Sequence, residues 1–179
     1  MRRRRSIVGI LLAIAGAAAA DEPDQALISY EASIGGAKRI SGVARSMEWS
    51  ATAMTERSVA VQLRVPIASF DSGHPEFDSL LRAAMQAELY PFVEIEGIAR
   101  GKRFEGTLRL HGVSRPLNVD ITVDRAGGRL IASSSFFIEL DDFGVSLPAV
   151  ASRVAVEFLA RISASPLAVV SGGAVSSTN

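Results

Sequence analysis

The stretch Val59-Ala60-Val61-Gln62-Leu63-Arg64-Val65-Pro66-Ile67 sets the period of the chain. Val59, Val61, Leu63, Val65 and Ile67 take every second position, with Gln62 and Arg64 interleaved. Successive side chains of a strand point to opposite faces, so this order gives one apolar and one polar face.

The same period recurs outward from this run. Val93 and Ile95 alternate with Glu94 and Glu96. Gly106, Leu108 and Leu110 alternate with Thr107, Arg109 and His111. Leu117, Val119, Ile121 and Val123 alternate with Asn118, Asp120, Thr122 and Asp124. Val154, Val156, Phe158, Ala160 and Ile162 alternate with Arg153, Glu157 and Arg161. Leu130–Leu140 is strand-like but apolar on both sides at Phe136-Phe137, and Ile138 continues it. Weaker runs lie at Leu27–Ala32 and Ile40–Met54, the latter with a break expected at Ser46. Gly35-Gly36, Gly101-Lys102, His111-Gly112 and Ala126-Gly127-Gly128 suit hairpin connections between them. Eight short strands at a spacing of roughly ten residues, each with one apolar face, predict a barrel or sandwich.

One segment breaks the period. Across 75–88, Phe77, Leu80, Leu81, Ala84 and Met85 share a helical face. Pro75 suits the first helical turn, and Tyr90-Pro91 ends the segment. A single helix is therefore expected to interrupt an antiparallel β protein. Eight strands leave an interior just wide enough to fill with side chains or to hold one small ligand. The helix would lie at one opening, with Phe77, Leu80 and Met85 closing it.

The chain has 179 residues, no cysteine, and 19 basic against 19 acidic side chains. That length predicts one domain with room for a sizeable core. The absence of cysteine excludes disulfides, thiol catalysis and Cys-ligated metal. A zero net charge argues against nucleic-acid binding. The balance is uneven, however. Met1 is followed by four arginines, then by the uncharged run Ser6–Ala20, which ends in an A-x-A pattern at Ala18 and Ala20. This is the plan of a secretory signal peptide, residues 1–20, cleaved after Ala20. The apolar run is shorter than the ~20 residues a spanning helix needs, so no stable membrane anchor is expected after cleavage. Both general secretory and twin-arginine export remain open. Removal of the four arginines leaves 15 basic against 19 acidic residues, a net charge of −4. The expected organisation is a domain at 21–164 and a frayed tail at 165–179, small and polar at its end.

Catalytic signatures are scarce. The chain holds no G-x-S-x-G elbow, P-loop or G-x-G-x-x-G motif. Its two histidines, His74 and His111, are far apart in sequence and read as surface residues rather than a metal pair. Asp141 and Asp142 read as a solvated turn or a structural hydrogen bond, not converging carboxylates. An enzyme built on Asp142 or His111 is disfavoured, because no nucleophile–base pairing is visible. No catalytic residue and no metal are expected.

Several segments together resemble the YceI-like family of secreted bacterial polyisoprenoid-binding proteins. Val65-Pro66-Ile67-Ala68-Ser69-Phe70-Asp71-Ser72-Gly73 is similar to its strand-end motif. Leu81-Arg82 through Glu88-Leu89-Tyr90-Pro91-Phe92-Val93 is similar to its helix, Y-P and strand element. Gly106-Thr107-Leu108-Arg109-Leu110-His111-Gly112-Val113-Ser114-Arg115-Pro116-Leu117 resembles its hairpin, the most specific of the set. Asp142-Phe143-Gly144 resembles its turn before the last strand. The resemblance covers Leu27 to Ser163. It implies an eight-stranded antiparallel lipocalin-like β-barrel with an apolar lumen. It implies no catalysis and no cofactor. The implied partner is an apolar isoprenoid lipid, such as a polyprenyl phosphate or prenyl quinone.

The expected lining is Val61, Leu63, Val65, Val93, Ile95, Leu108, Leu110, Val119, Ile121, Phe136, Ile138, Val156 and Phe158. The expected protein is periplasmic or secreted, with a homodimer left open. The alternative is a periplasmic stress or interaction module whose barrel is simply a filled core.

Overall fold

The computed structural model describes residues 24–55, 57–126, 129–163 and 170–172. The expected signal peptide, 1–20, lies outside them, and so does most of the expected tail. The described chain runs as β1 (Gln25–Ile34), β2 (Lys38–Ala44), β3 (Glu48–Thr55), β4 (Ser58–Pro66) and β5 (Phe70–Asp71). Then come α1 (Pro75–Ala84), β6 (Phe92–Arg100), β7 (Arg103–Leu110), β8 (Val113–Asp120) and β9 (Thr122–Ala126). It ends with β10 (Arg129–Glu139), β11 (Arg153–Ser163) and β12 (Val170–Gly172). Within the expected tail, Val170–Gly172 thus pairs with β3. Among the described residues no helix is long and apolar enough to cross a membrane.

The fold is all-β and antiparallel with one short helix among the described residues, as the alternation predicts. One closed eight-stranded ladder is not what forms. The strands make two six-stranded sheets, ordered β5-β2-β1-β11-β10-β9 and β12-β3-β4-β6-β7-β8. The difference lies in three corners. The Ile40–Met54 run divides at Arg45–Met47 into β2 and β3, one in each sheet. The Leu117–Val123 run divides at Ile121 into β8 and β9. β4 crosses to β5 through a 3-10 turn at Ile67–Ser69. Each corner carries one chain path from one sheet to the other, so eight paths still enclose a common interior. The bends interrupt the hydrogen-bonded ladder, which is how two packed sheets share corner strands.

Freed backbone groups at a bend need partners. Ser69 Oγ lies 3.0 Å from the Ser46 carbonyl and 2.7 Å from that of Pro66. Arg45 N donates to Ser69 O at 2.9 Å, and Ile67 N to Pro91 O at 2.9 Å. At the other corner Ile121 N donates to Lys102 O, and Ser134 Oγ to Asp120 O, each at 2.8 Å.

Both sheets turn their apolar faces inward. Val65, Ile67, Leu110 and Val145 are almost completely excluded from solvent. Ile67 has 0% exposure and fills the β4–β5 corner. Ile67→Ala is therefore expected to cost about 2–5 kcal/mol of stability, as buried large-to-small changes do. Leu89, 71% exposed, is the control. Leu89→Ala should stay within ~0.5 kcal/mol. Urea unfolding midpoints at constant slope measure both.

Candidate functional site: an apolar cavity between the sheets

Inside the fold lies a cavity of about 90 Å³. The upper halves of both sheets supply its wall. β1 contributes Ile28, Tyr30 and Ala32, β4 contributes Val65, and Phe70 comes from β5. Val93 and Ile95 of β6 face Leu108 and Leu110 of β7. Phe136 and Ile138 of β10 and Val154 and Val156 of β11 complete the strand wall. Leu140, Leu147 and Val150 close it from the segment after β10. From α1 and its end come Phe77, Leu81 and Met85. No lining residue carries a formal charge.

Eight expected lumen residues meet here: Val65, Val93, Ile95, Leu108, Leu110, Phe136, Ile138 and Val156. Five stand elsewhere. Val61, Val119 and Ile121 are half-buried against the core, Leu63 is buried, and Phe158 packs against the second core cluster. Their faces are inward, but they lie deeper than the cavity or at a corner. The helix needs a correction. Leu80 is 53% exposed, and Leu81 takes its expected place. Phe77, Leu81 and Met85 are spaced by four, the interval that stacks side chains on one helical face, and Leu80 falls to the side of that row. The expected lining also left out Ile28, Tyr30, Ala32, Phe70, Leu140, Val154 and the loop residues Leu147 and Val150. Tyr30 and Ala32 belong to a weakly alternating run, and the loop pair has no period to read.

Polar groups gather beside the cavity, at the start of α1. Asp78 is the one buried charged residue among those described. It accepts from Ser72 Oγ at 2.7 Å and Ser72 N at 3.1 Å, pinning the loop to the helix. Asp71 accepts from Gly73 N at 2.7 Å and pairs with Arg45 Nε. The Gly73 amide first, and then Arg45, hold the Asp71 carboxyl below the usual aspartate value. The Tyr30 hydroxyl is buried without a hydrogen-bond partner. Burial first, then the negative charges of Asp78 and Asp71, push its phenol up to about 12. A weaker pull from the Ser72 hydroxyl opposes them, although the two do not reach hydrogen-bond geometry.

The remaining candidates do not converge. His74 is exposed ahead of α1. His111 sits in the β7–β8 turn, and its Nδ1 donates to the Phe143 carbonyl at 3.0 Å. Asp141 and Asp142 are exposed in the 3-10 turn Leu140–Phe143. Among the described residues no cluster of three His, Asp or Glu side chains could hold a metal ion. On the outer face, Arg64 spans Glu48 and Glu94 at 3.9 and 3.3 Å, and Glu94 reaches Arg109 at 3.7 Å. These exposed charges neutralise one another and focus no net field.

The family model of the YceI-like domain matches residues 22–162. The chain belongs to the YceI-like family. Two solved structures share the YceI-like architecture. One is BcnA of Burkholderia cenocepacia, with 18% identity and a TM-score of 0.69 over 77% of this chain and 96% of that one. The other is a polyisoprenoid-binding domain from Saccharophagus degradans implicated in plant cell wall breakdown. It has 15% identity and a TM-score of 0.65 over 78% of this chain and 94% of that one. At such identities the likeness concerns the fold. Among curated proteins none matches this chain.

The Asp71 anchor of this YceI-like domain has a defined pH dependence. Its folded pKa is lowered, so its contribution is present above the ordinary aspartate value of ~3.9 and is lost as pH falls through the folded one. Asp71→Asn should lower stability at neutral pH and leave a smaller acid-side loss than the wild type shows. Melting temperatures from pH 7 down to ~2.5 check this, and parallel curves for the two proteins would refute it.

Proposed function

We propose that this protein is an exported, non-catalytic carrier or storage protein for a long apolar isoprenoid-type lipid, held between its two sheets. The observation that carries the reading is the cavity lined by nineteen residues without a charged side chain, closed by an amphipathic helix. The relative from Saccharophagus degradans, a polyisoprenoid-binding domain, supports the same ligand class. Export rests on the basic and apolar N-terminal pattern. Affinity would come from apolar surface leaving water, at ~25 cal/mol per Å².

The lining offers no cation to a phosphate, and Asp71 and Asp78 carry negative charge near Tyr30. A neutral head, as in a prenyl quinone, suits these electrostatics better than a polyprenyl phosphate. The unpartnered Tyr30 hydroxyl can donate to such a carbonyl.

The cavity size favours a second reading. Its 90 Å³ is less than the ~150 Å³ apolar cavity that accepts benzene in an engineered protein. A long chain must therefore widen the lumen, and the alternative is a periplasmic stress or interaction module with a filled core.

Two measurements decide between them. Organic extraction and mass spectrometry of the protein from its native compartment should recover an apolar isoprenoid. Titration with a prenyl quinone should quench Trp49, the chain's single tryptophan, saturably. A protein that is reproducibly empty and takes up no prenyl quinone would leave the filled-core reading standing.

A further inference from the structure

We infer that Phe104, packed in the layer beyond the cavity wall, limits how far an apolar chain can extend past Leu108; this rests on the lipid-carrier reading above. The register of β6 and β7 carries the argument. From the mouth downward, Val93 and Ile95 on β6, and Leu110 and Leu108 on β7, line the cavity. The next inward pair is Gly97 opposite Gly106, and neither lines it. No side chain rises from this layer of the two strands. The space belongs to Phe104, two residues further along β7.

The Phe104 ring lies back along its own strand over both glycines. A Cβ on Gly97 would come 2.4 Å from Glu105 O and one on Gly106 2.2 Å from Glu96 O, and each would also come 2.7 Å from Phe104 Cζ, closer than real Cβ contacts allow. The glycines are thus the seat of the ring. Phe104 is buried in the same core cluster as Leu108, so the ring continues the packing where the cavity stops. Below it, Ala99 and Val119 flank Phe104 across the ladder. An apolar chain extending beyond Leu108 would therefore meet this ring. Its removal exposes a layer walled by two glycines and flanked by Val61 and Leu117 across the ladder.

The experiment uses the full mature chain with a short-tailed and a long-tailed prenyl quinone, read by Trp49 quenching. Phe104→Ala should tighten binding of the long-tailed probe by about tenfold or more, the gain from burying roughly two further methylene groups. The short-tailed probe should change little. Phe104→Leu keeps apolar bulk and should shift the ratio of the two affinities in the same direction by less. It decides the matter if thermal melting shows Phe104→Ala to be unfolded. Folded variants that bind both probes with the wild-type ratio would overturn this limit while leaving the carrier reading intact. Failure of folded wild-type protein to bind either probe would overturn the carrier reading itself, and the limit with it.

Discussion

The corner at residues 66–69 is the constraint on which the two-sheet arrangement depends. Pro66 has no N–H to give to a ladder, and β4 ends there. The chain then turns through Ile67–Ser69 and re-enters hydrogen bonding beside β2 in the other sheet. A turn of this kind strands backbone carbonyls, and the Ser69 hydroxyl meets two of them, one from each of two neighbouring corners. Arg45 N on Ser69 O adds a third tie. Ile67, fully buried, supplies the apolar side of the same knot. Loosening this point would uncouple β2–β3 from β4–β5, and with them the β5 edge of one sheet and the β3–β4 pair of the other. It would also misplace α1, because Asp71, Ser72 and Asp78 fix the helix to the strand that leaves the corner.

The cavity follows from how α1 is held. Two kinds of bond secure it. Phe77, Leu81 and Met85 present apolar surface to the interior, while Asp78 grips Ser72 at the edge. Only the second is directional. An apolar chain entering beneath the helix would replace side-chain contacts with ligand contacts of similar character. The hydrophobic effect depends on apolar area removed from water, not on which atoms cover it. Widening the lumen by shifting the helix therefore costs less than the loss of its inner contacts suggests, provided a ligand takes their place. Ser72 and Asp78 tie the start of the helix to the loop that precedes it.

How much was legible in the sequence follows from what period two can encode. Parity reports a face, so the eight chain paths and their inward residues could be read directly from alternation. Parity does not report depth. Val61 and Val65 have the same parity on β4, yet only Val65 reaches the cavity. Nor does it report a bend: the alternation through Leu117, Val119, Ile121 and Val123 continues unbroken while the chain changes sheets at Ile121. The helix shows the same limit in another period. Leu80 and Leu81 both fit a broad apolar stripe, and only the packed phase separates the exposed residue from the buried one. Parity places Gly106 on the inward face with Leu108 and Leu110, but does not tell that it stands opposite Gly97 with the Phe104 ring against both.

The hairpin that best supports the family resemblance has its own physical account. A two-residue turn matching the twist of its strands needs positive φ at both central positions. Here they are His111 and Gly112, at φ 51 and 75. Glycine takes this conformation freely, whereas histidine does so under strain and needs compensation. His111 receives it from the Phe143 carbonyl through Nδ1 and from the Tyr90 ring, whose centroid lies 5.1 Å away at a steep angle. Tyr90 also lies where a side chain on Gly112 would stand. One turn is thereby fastened to the residues that end the helical segment and to the 3-10 turn after β10. Those attachments hold Leu110 and Leu140 on the cavity wall. His111 is thus occupied in joining three segments.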